Sequence, residues 1–238
     1  MEWIRKAYLA SRRTYGYRRV HLWLEQEKGI VVNPKAVLRI MQKMGMRSIA
    51  RRHKVAQPLV SQERNYWYPN LLQRDFSASR PNQKWVTDVT YVRTAQGWAY
   101  LAAIKDLFDG FIVAHCFTTR NSLGLVTRLL EQARERERVG KGLILHSDQG
   151  SQFSSPKYRQ ITQEYGVIPS MSRRGNCWDN APMESFFGNL KEEEVRHWRN
   201  PSFRQAQVWI DDYIHFYNYE RIQLKTKRTP FQLRYPSR

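Results

Sequence analysis

The chain has 238 residues, 41% of them apolar, and carries a formal net charge of +19 with a pI near 10.2. Such a composition excludes global disorder, and such a field favours polyanionic partners, nucleic acid first, although generic basic solubility also accounts for a positive surface. Two cysteines, Cys116 and Cys177, argue against a disulfide framework or a cysteine zinc site, and no apolar run reaches the roughly 18 residues of a membrane span. With no h-region at the N-terminus either, a cytoplasmic protein without a membrane partner is the expectation.

Charge is unevenly distributed. Residues 1–80 hold 17 Lys/Arg against 5 Asp/Glu, whereas residues 81–200 hold 16 against 13. That split suggests a basic binding arm on a core whose acids do something specific.

Residues 1–24 read as helical on Ile4, Leu9, Val20, Leu22 and Leu24, with a break at Tyr15-Gly16-Tyr17. A second helix is expected after Asn33, which would cap it with Pro34 in the first turn, and it runs to Gly45. Two short basic helices joined by a turn have the layout of a helix-turn-helix. In that reading Arg12, Arg13, Arg18, Arg19 and Lys43 contact phosphates, which position a protein without reading sequence. The alternative is a small bundle that packs on the core and enters no groove. Residues 49–80 lose periodicity and read as a basic linker. There Arg51, Arg52 and Lys54 would track a DNA backbone, with Tyr66, Trp67 and Tyr68 either stacking on bases or docking the linker.

From Lys84 the pattern changes to strands: 85–93, a turn at Thr94–Gly97, 98–104, a turn at Asp109-Gly110, and 111–118. A long helix follows from Asn121 or Ser122 to about Arg138. A short buried strand (143–147), a helix opening at Ser155-Pro156 and a fifth strand (167–171) complete the set. The order β-β-β-α-β-α-β plus a closing helix is that of the ribonuclease H-like α/β fold, a mixed five-stranded sheet flanked by helices. Expected regions are a helical helix-turn-helix-like region (1–48), the linker (49–80), the catalytic core (81–198), and a C-terminal helix from about Ser202 to Tyr219 with a basic tail (199–238). The tail is expected to pack on the core and to extend the basic surface.

Three carboxylates stand out. Asp88 lies inside an apolar strand, where an unpaired charge is costly. Asp148 closes the short strand, and Glu184 follows 35 intervening residues later in the first turns of a helix that Asn180 would cap, with Pro182 in its first turn. Such acids, converging from strands and a helix, suit Mg²⁺, which takes oxygen ligands and retains waters. Two divalent ions roughly 4 Å apart would serve attack on a phosphodiester. Arg173 and Arg174 in the loop SRRGNCWD, and Lys191 seven residues after Glu184, are the candidate DNA contacts beside them. Asp106, Asp109 and Asp179 are rival acids with turn or helix-entry explanations, and His146 reads as packing or hydrogen-bonding.

The stretches WVTDVTYV, HSDQGSQF and GNCWDNAPMESFFGNLKEE resemble the catalytic motifs of bacterial insertion-sequence transposases. The group resembled has two overlapping reading frames and a retroviral-integrase-like DDE core, and this chain is similar to its second-frame product. YGYRRVHLWLEQEKGIVVNPKAVLRIMQKMGMRS resembles the helical region that precedes that core. The resemblance implies that Asp88, Asp148 and Glu184 are the DDE triad, with Mg²⁺ as cofactor and Mn²⁺ as a substitute. It implies donor-end cleavage by water, then attack of the released 3′-hydroxyl on target DNA. The implied partners are terminal-repeat and target DNA, a first-frame product that supplies end recognition, and further copies of the chain in a synaptic complex, associated with the nucleoid. A non-catalytic DNA-binding regulator and a ribonuclease H or Holliday-junction nuclease are the alternative functions. Two departures are visible. The His-His-Cys-Cys zinc unit of retroviral integrases is absent, and the family's closing YN-x-x-R-x-H-x-x-L-G-x-x-TP reads YNYERIQLKTKRTP here, without its histidine and glycine.

Overall fold

A computed structural model describes residues 1–49 and 67–236. Arg51, Arg52, Lys54 and Tyr66 lie outside the described residues. The chain divides into two compact units, one from Val55–Gly188 with Trp198–Asp211, the other from Met1–Lys54, Asn189–His197 and Asp212–Arg238.

The larger unit is built on β1 (Lys84–Thr94), β2 (Gly97–Asp106), β3 (Ile112–Thr118), β4 (Ile144–Ser147) and β5 (Ile168–Met171), in the spatial order β3-β2-β1-β4-β5. The first three are an antiparallel meander, whereas β4 pairs parallel with β1 and β5 with β4. This is the mixed five-stranded sheet that the strand order predicts. The β1–β2 turn closes because Gly97 takes φ +115°, a backbone conformation that side chains resist, while the Thr94 hydroxyl donates to the Gly97 carbonyl at 2.9 Å. Helix α4 (Leu123–Arg136) turns Leu125, Val126, Leu129, Leu130 and Ala133 onto one stripe. That stripe meets Ala102, Ile104, Ala114 and Cys116 of the sheet, and Tyr158 and Ile161 of α5 (Pro156–Glu164) complete the cluster. Burial of each large apolar side chain contributes roughly 1.5–3 kcal/mol. α5 starts where the Ser155 hydroxyl accepts the Tyr158 N–H, with Pro156 in the first turn.

A 3₁₀ turn (Cys177–Asn180) leads into α6 (Ala181–Glu193), and α7 (Phe203–Tyr219) follows. Asn180 differs from its expected role as a side-chain cap: its amide donates to the Thr87 carbonyl at 3.1 Å, which ties the turn to β1.

The smaller unit contains α1 (Glu2–Ala10), α2 (Tyr17–Lys28) and α3 (Pro34–Lys43). The single interrupted helix expected over 1–24 is two helices, because Arg12 and Arg13 both take positive φ (54° and 61°) and end the first before Gly16. Asn33 caps α3 as its sequence predicts, accepting from the Lys35 N–H at 2.8 Å. The tail, expected on the catalytic core, divides: its first part, to Asp211, belongs to the larger unit, where Phe203 stacks on Phe117 of β3, and the part from Asp212 on contacts the helical region. The Tyr15 hydroxyl accepts the Ile222 N–H at 2.7 Å and donates to the Glu220 carbonyl at 3.1 Å. Arg221, 1% exposed, donates to both oxygens of Glu193, 2% exposed, at 2.6 and 2.8 Å, and the Tyr213 hydroxyl donates to the same carboxylate at 2.9 Å. Burial alone would lower the Arg221 pKa, but the Glu193 carboxylate outweighs it and holds the guanidinium above its ordinary value.

A short terminal helix, α8 (Pro230–Arg234), is absent from the sequence reading although its signal is present. Thr229 and Gln232 form a reciprocal capping box around Pro230. Just before it, Lys227 holds φ +58° in the stretch where the resembled motif carries a glycine.

Two predictions follow from the tail. Glu193→Ala leaves the Arg221 guanidinium buried without its counter-charge and should cost about 3–5 kcal/mol in denaturant-monitored unfolding. Lys227→Gly relieves a left-handed conformation and should raise stability by about 1 kcal/mol in the same measurement.

Candidate active site

The β1–β4 ladder decides which carboxylates meet. Lys84 pairs with Ile144, Trp85 with Leu145 and Val86 with His146, a constant offset of 60 residues. Continued two residues past the last recorded pair, that register sets Asp88 level with Asp148, just beyond the end of β4 at Ser147. In a parallel pair, level residues point their side chains to the same face. Both acids are half-buried. Asp88 accepts the Val89 N–H on one carboxylate oxygen at 2.7 Å. Asp148 accepts the Gly150 N–H at 3.0 Å. A Cβ at Gly150 would stand 3.0 Å from the same carboxylate oxygen and 3.1 Å from the Gln152 amide oxygen, so a side chain there would crowd both groups.

Glu184 sits in the first turn of α6 and is exposed as a residue, with its carboxyl partly desolvated. Two side chains fasten that turn to the sheet. Asn180 reaches the Thr87 carbonyl, one residue before Asp88, and Lys105 of β2 donates to the Pro182 carbonyl at 3.3 Å. Burial pushes the Asp148 carboxyl above its usual range, partly offset by the Gly150 N–H. Burial raises Glu184 as well, offset by the Cys177 thiol that donates to it. Among the described residues neither of these two carboxylates has an ion-pair partner. Among the described residues no three His, Cys, Asp or Glu side chains come together as a metal-holding cluster, so Asp88, Asp148 and Glu184 are not gathered into one here.

The rival acids are structural. Asp106, fully buried, accepts from the Asn82 N–H (2.7 Å), the Trp85 indole (3.2 Å) and the Phe108 N–H (2.9 Å). Asp109 accepts the Phe111 N–H in its turn. Asp179, also fully buried, gathers Arg173, Arg74 and Asn70, and the Arg173 guanidinium holds its carboxyl well below the ordinary range. His146 has both ring nitrogens occupied, by Ser170 at 2.8 Å and Ser172 at 3.1 Å, and burial pushes its pKa down to about 4. It is a neutral, packed histidine.

The candidate DNA contacts divide into two sets. Arg12 is committed to Asp212 at 2.7 and 3.0 Å and lies over the Phe216 ring. Arg19 donates to the Ile222 carbonyl at 3.0 Å, and Arg173 to Asp179 at 2.8 and 2.9 Å. These three guanidinium groups do structural work that sequence reading missed, because each partner lies far off in the chain or inside a loop. Arg13, Arg18, Lys43 and Arg174 are exposed, and Lys191 is half-buried on α6. Trp67 is exposed as well, whereas Tyr68 docks edge-on against Tyr158 of the core, with ring centroids 6.5 Å apart.

Because burial raises Asp148 and Glu184, their ionised forms oppose folding. The native state binds protons more tightly, so stability falls as pH rises from the ordinary carboxylate range through the raised values. Without added metal, Asp148→Asn and Glu184→Gln should therefore unfold at higher temperature than the parent at neutral pH. The difference should shrink as the pH is lowered below that range, as thermal unfolding across pH will record.

Comparison with known proteins identifies the family. The HTH-like domain family matches residues 1–54, and families described as integrase core domains match 78–177 and 184–237. An uncharacterized transposase-like protein of Haemophilus influenzae is 44% identical over 83% of this chain and 90% of its own length. A 31 kDa protein of insertion element IS600 from Shigella sonnei is 41% identical over 92% and 80%, and a putative transposase of insertion sequence IS150 from Escherichia coli 38% over 97% and 81%. Among solved structures, the HTLV-2 integrase catalytic core domain superposes with a TM-score of 0.53 at 19% identity, over 66% of this chain and 99% of that one. A simian T-cell lymphotropic virus intasome chain superposes at 0.57 and 14%, over 91% and 75%. Those two likenesses show the fold. The relatives and the matching domains show that this chain belongs to the bacterial insertion-sequence transposases with an integrase core.

Proposed function

We propose that the chain is a DNA transposase whose Asp88, Asp148 and Glu184 form a DDE triad for donor-end cleavage and strand transfer. The observation that carries this reading is the β1–β4 register, which brings Asp88 and Asp148 level at the end of a parallel pair, with α6 fastened beside Asp88 by Asn180. The residues suit a divalent ion. They offer hard carboxylate oxygens of the kind Mg²⁺ or Mn²⁺ prefers, and burial holds Asp148 and Glu184 in a state that a cation would relieve. The HTLV-2 integrase core was solved in complex with magnesium, which fits this choice.

When bound, the ions would supply charge neutralisation at the phosphodiester and activation of the attacking hydroxyl. The chain's own residues do the rest. Asp88 and Asp148 hold their oxygens on a rigid sheet, with Gly150 fixing the rotation of the Asp148 carboxylate. Glu184, on the first turn of α6 beside the Cys177 thiol, would hold the ion as the third carboxylate. Arg174 and Lys191 lie next along the chain on either side of Glu184 to meet flanking phosphates, and Arg13, Arg18 and Lys43 of the helical region would hold the duplex. Two DNA ends must be paired for transposition, so at least two copies act together, and a first-frame product supplies end recognition.

Asp88→Ala, Asp148→Ala and Glu184→Ala should each lower Mg²⁺-dependent joining of terminal-repeat DNA by roughly a thousandfold or more, with folding retained. Undiminished joining by any of the three would remove that residue from the triad. Retained binding with no turnover by the parent protein would favour the regulator reading.

A further inference from the structure

The far end of the β1–β2 hairpin carries a surface that the catalytic reading does not use. Along β1, Thr90, Val92 and Thr94 are buried while Tyr91 and Arg93 are exposed. Asp88 shares the parity of the buried set, so Tyr91 and Arg93 stand on the opposite face of the strand from it. Trp98 of β2 is the direct cross-strand partner of Arg93. Its ring meets Tyr91 edge-on at 5.2 Å between centroids, and the Arg93 guanidinium lies 5.3 Å from its centre. Tyr91 is 53% and Trp98 51% exposed, which is unusual for a pair of large rings in contact.

A second segment adds charge to the same end. The Ala95 N–H donates to the Pro201 carbonyl at 2.8 Å, and the Phe203 N–H to the Gln96 side chain at 2.7 Å. Phe203 also stacks on Phe117 of β3, with centroids 4.8 Å apart. These contacts carry the exposed Arg199 and Arg204 to the hairpin tip. Residues 89–100 and 198–210 together contain these three arginines and not one Asp or Glu.

We propose that this patch, Tyr91, Arg93, Trp98, Arg199 and Arg204, is a DNA-binding surface separate from the triad. It grips the backbone of DNA outside the reacting phosphodiester. Charge complementarity selects the occupant. Cations interleaved with exposed rings suit phosphates and base or sugar faces, whereas a second copy of a +19 chain would bring like charge to an acid-free surface. Binding here needs no metal and no turnover, so it stands apart from the catalytic reading.

The test measures binding of the full chain to a fluorescent duplex without divalent metal, at several salt concentrations. Arg93→Gln/Arg204→Gln should lower the slope of log affinity against log salt by about 2, since each lost phosphate contact removes roughly 0.9. A charge-matched control at the opposite end of β1, Arg138→Gln/Lys141→Gln, should leave the slope as it is in the parent. Trp98→Ala should weaken binding roughly tenfold with the slope unchanged, and Trp98→Phe should restore most of it. Thermal unfolding of each variant establishes that it is folded. The proposal is overturned if the glutamine pair keeps the parental slope, or loses no more of it than the control. It is also overturned if Trp98→Ala leaves affinity intact and instead alters the mass found by sedimentation, which would make the patch a contact between copies.

Discussion

Parallel pairing of β1 with β4 is the constraint on which the candidate site depends. The offset of 60 residues, continued two residues past its last recorded pair, sets Asp88 level with Asp148, and a slip of one residue would send one of them to the other face of the sheet. The register is held by burial on both sides. Trp85, Val86, Leu145 and His146 are all buried, and Trp85 and Leu145 belong to the cluster with α4 and α5. Asp148 lies just past this apolar stretch, where β4 ends and backbone N–H groups become free to turn toward a carboxylate, while Asp88 lies inside β1. Gly150 and Val89 donate to these two carboxylates. The helix that brings Glu184 is then tied to the same place by Asn180 and Lys105.

Charge in this protein falls into two kinds, and burial separates them. Asp106, Asp179, Glu193 and Arg221 are inside, and each is met by several donors or by an opposite charge, as the cost of desolvation requires. Asp148 and Glu184 contrast with these, for burial raises both and no ion pair to either is found among the described residues. Among the described residues no arginine pairs with either carboxylate, and that contrast with the ion-paired acids supports the metal-holding role proposed for them.

The closing motif reads differently once its contacts are known. Arg221 is the buried partner of Glu193, Asn218 is buried, and Thr229 with Pro230 opens the capping box of α8. The residues kept from the family's pattern, Tyr217, Asn218, Arg221, Thr229 and Pro230, are all buried. Lys227 takes a left-handed conformation in the stretch where the motif carries its glycine, and Gln223, two residues after Arg221 as the motif's histidine would be, accepts from the Arg221 guanidinium at 3.3 Å.

Local signals were enough for much of this. Alternation and turn residues determined five strands and their order, Asn33 and Ser155 marked helix starts, and the motif words around Asp88, Asp148 and Glu184 pointed to the family. Those features depend on residues near one another in the chain, where side-chain period and capping chemistry act directly. The capping box of α8 is equally local, carried by Thr229, Pro230 and Gln232. What the sequence could not determine involves partners far apart: Arg12 with Asp212, Arg19 with Ile222, Arg221 with Glu193, and the hairpin tip with residues 199–204. Each of those arginines looks alike in a list of basic residues. Only tertiary packing decided which were drawn inside to satisfy buried oxygens and which were left at the surface, because the free energy of a charge depends on the water and partners around it and not on its neighbours in sequence.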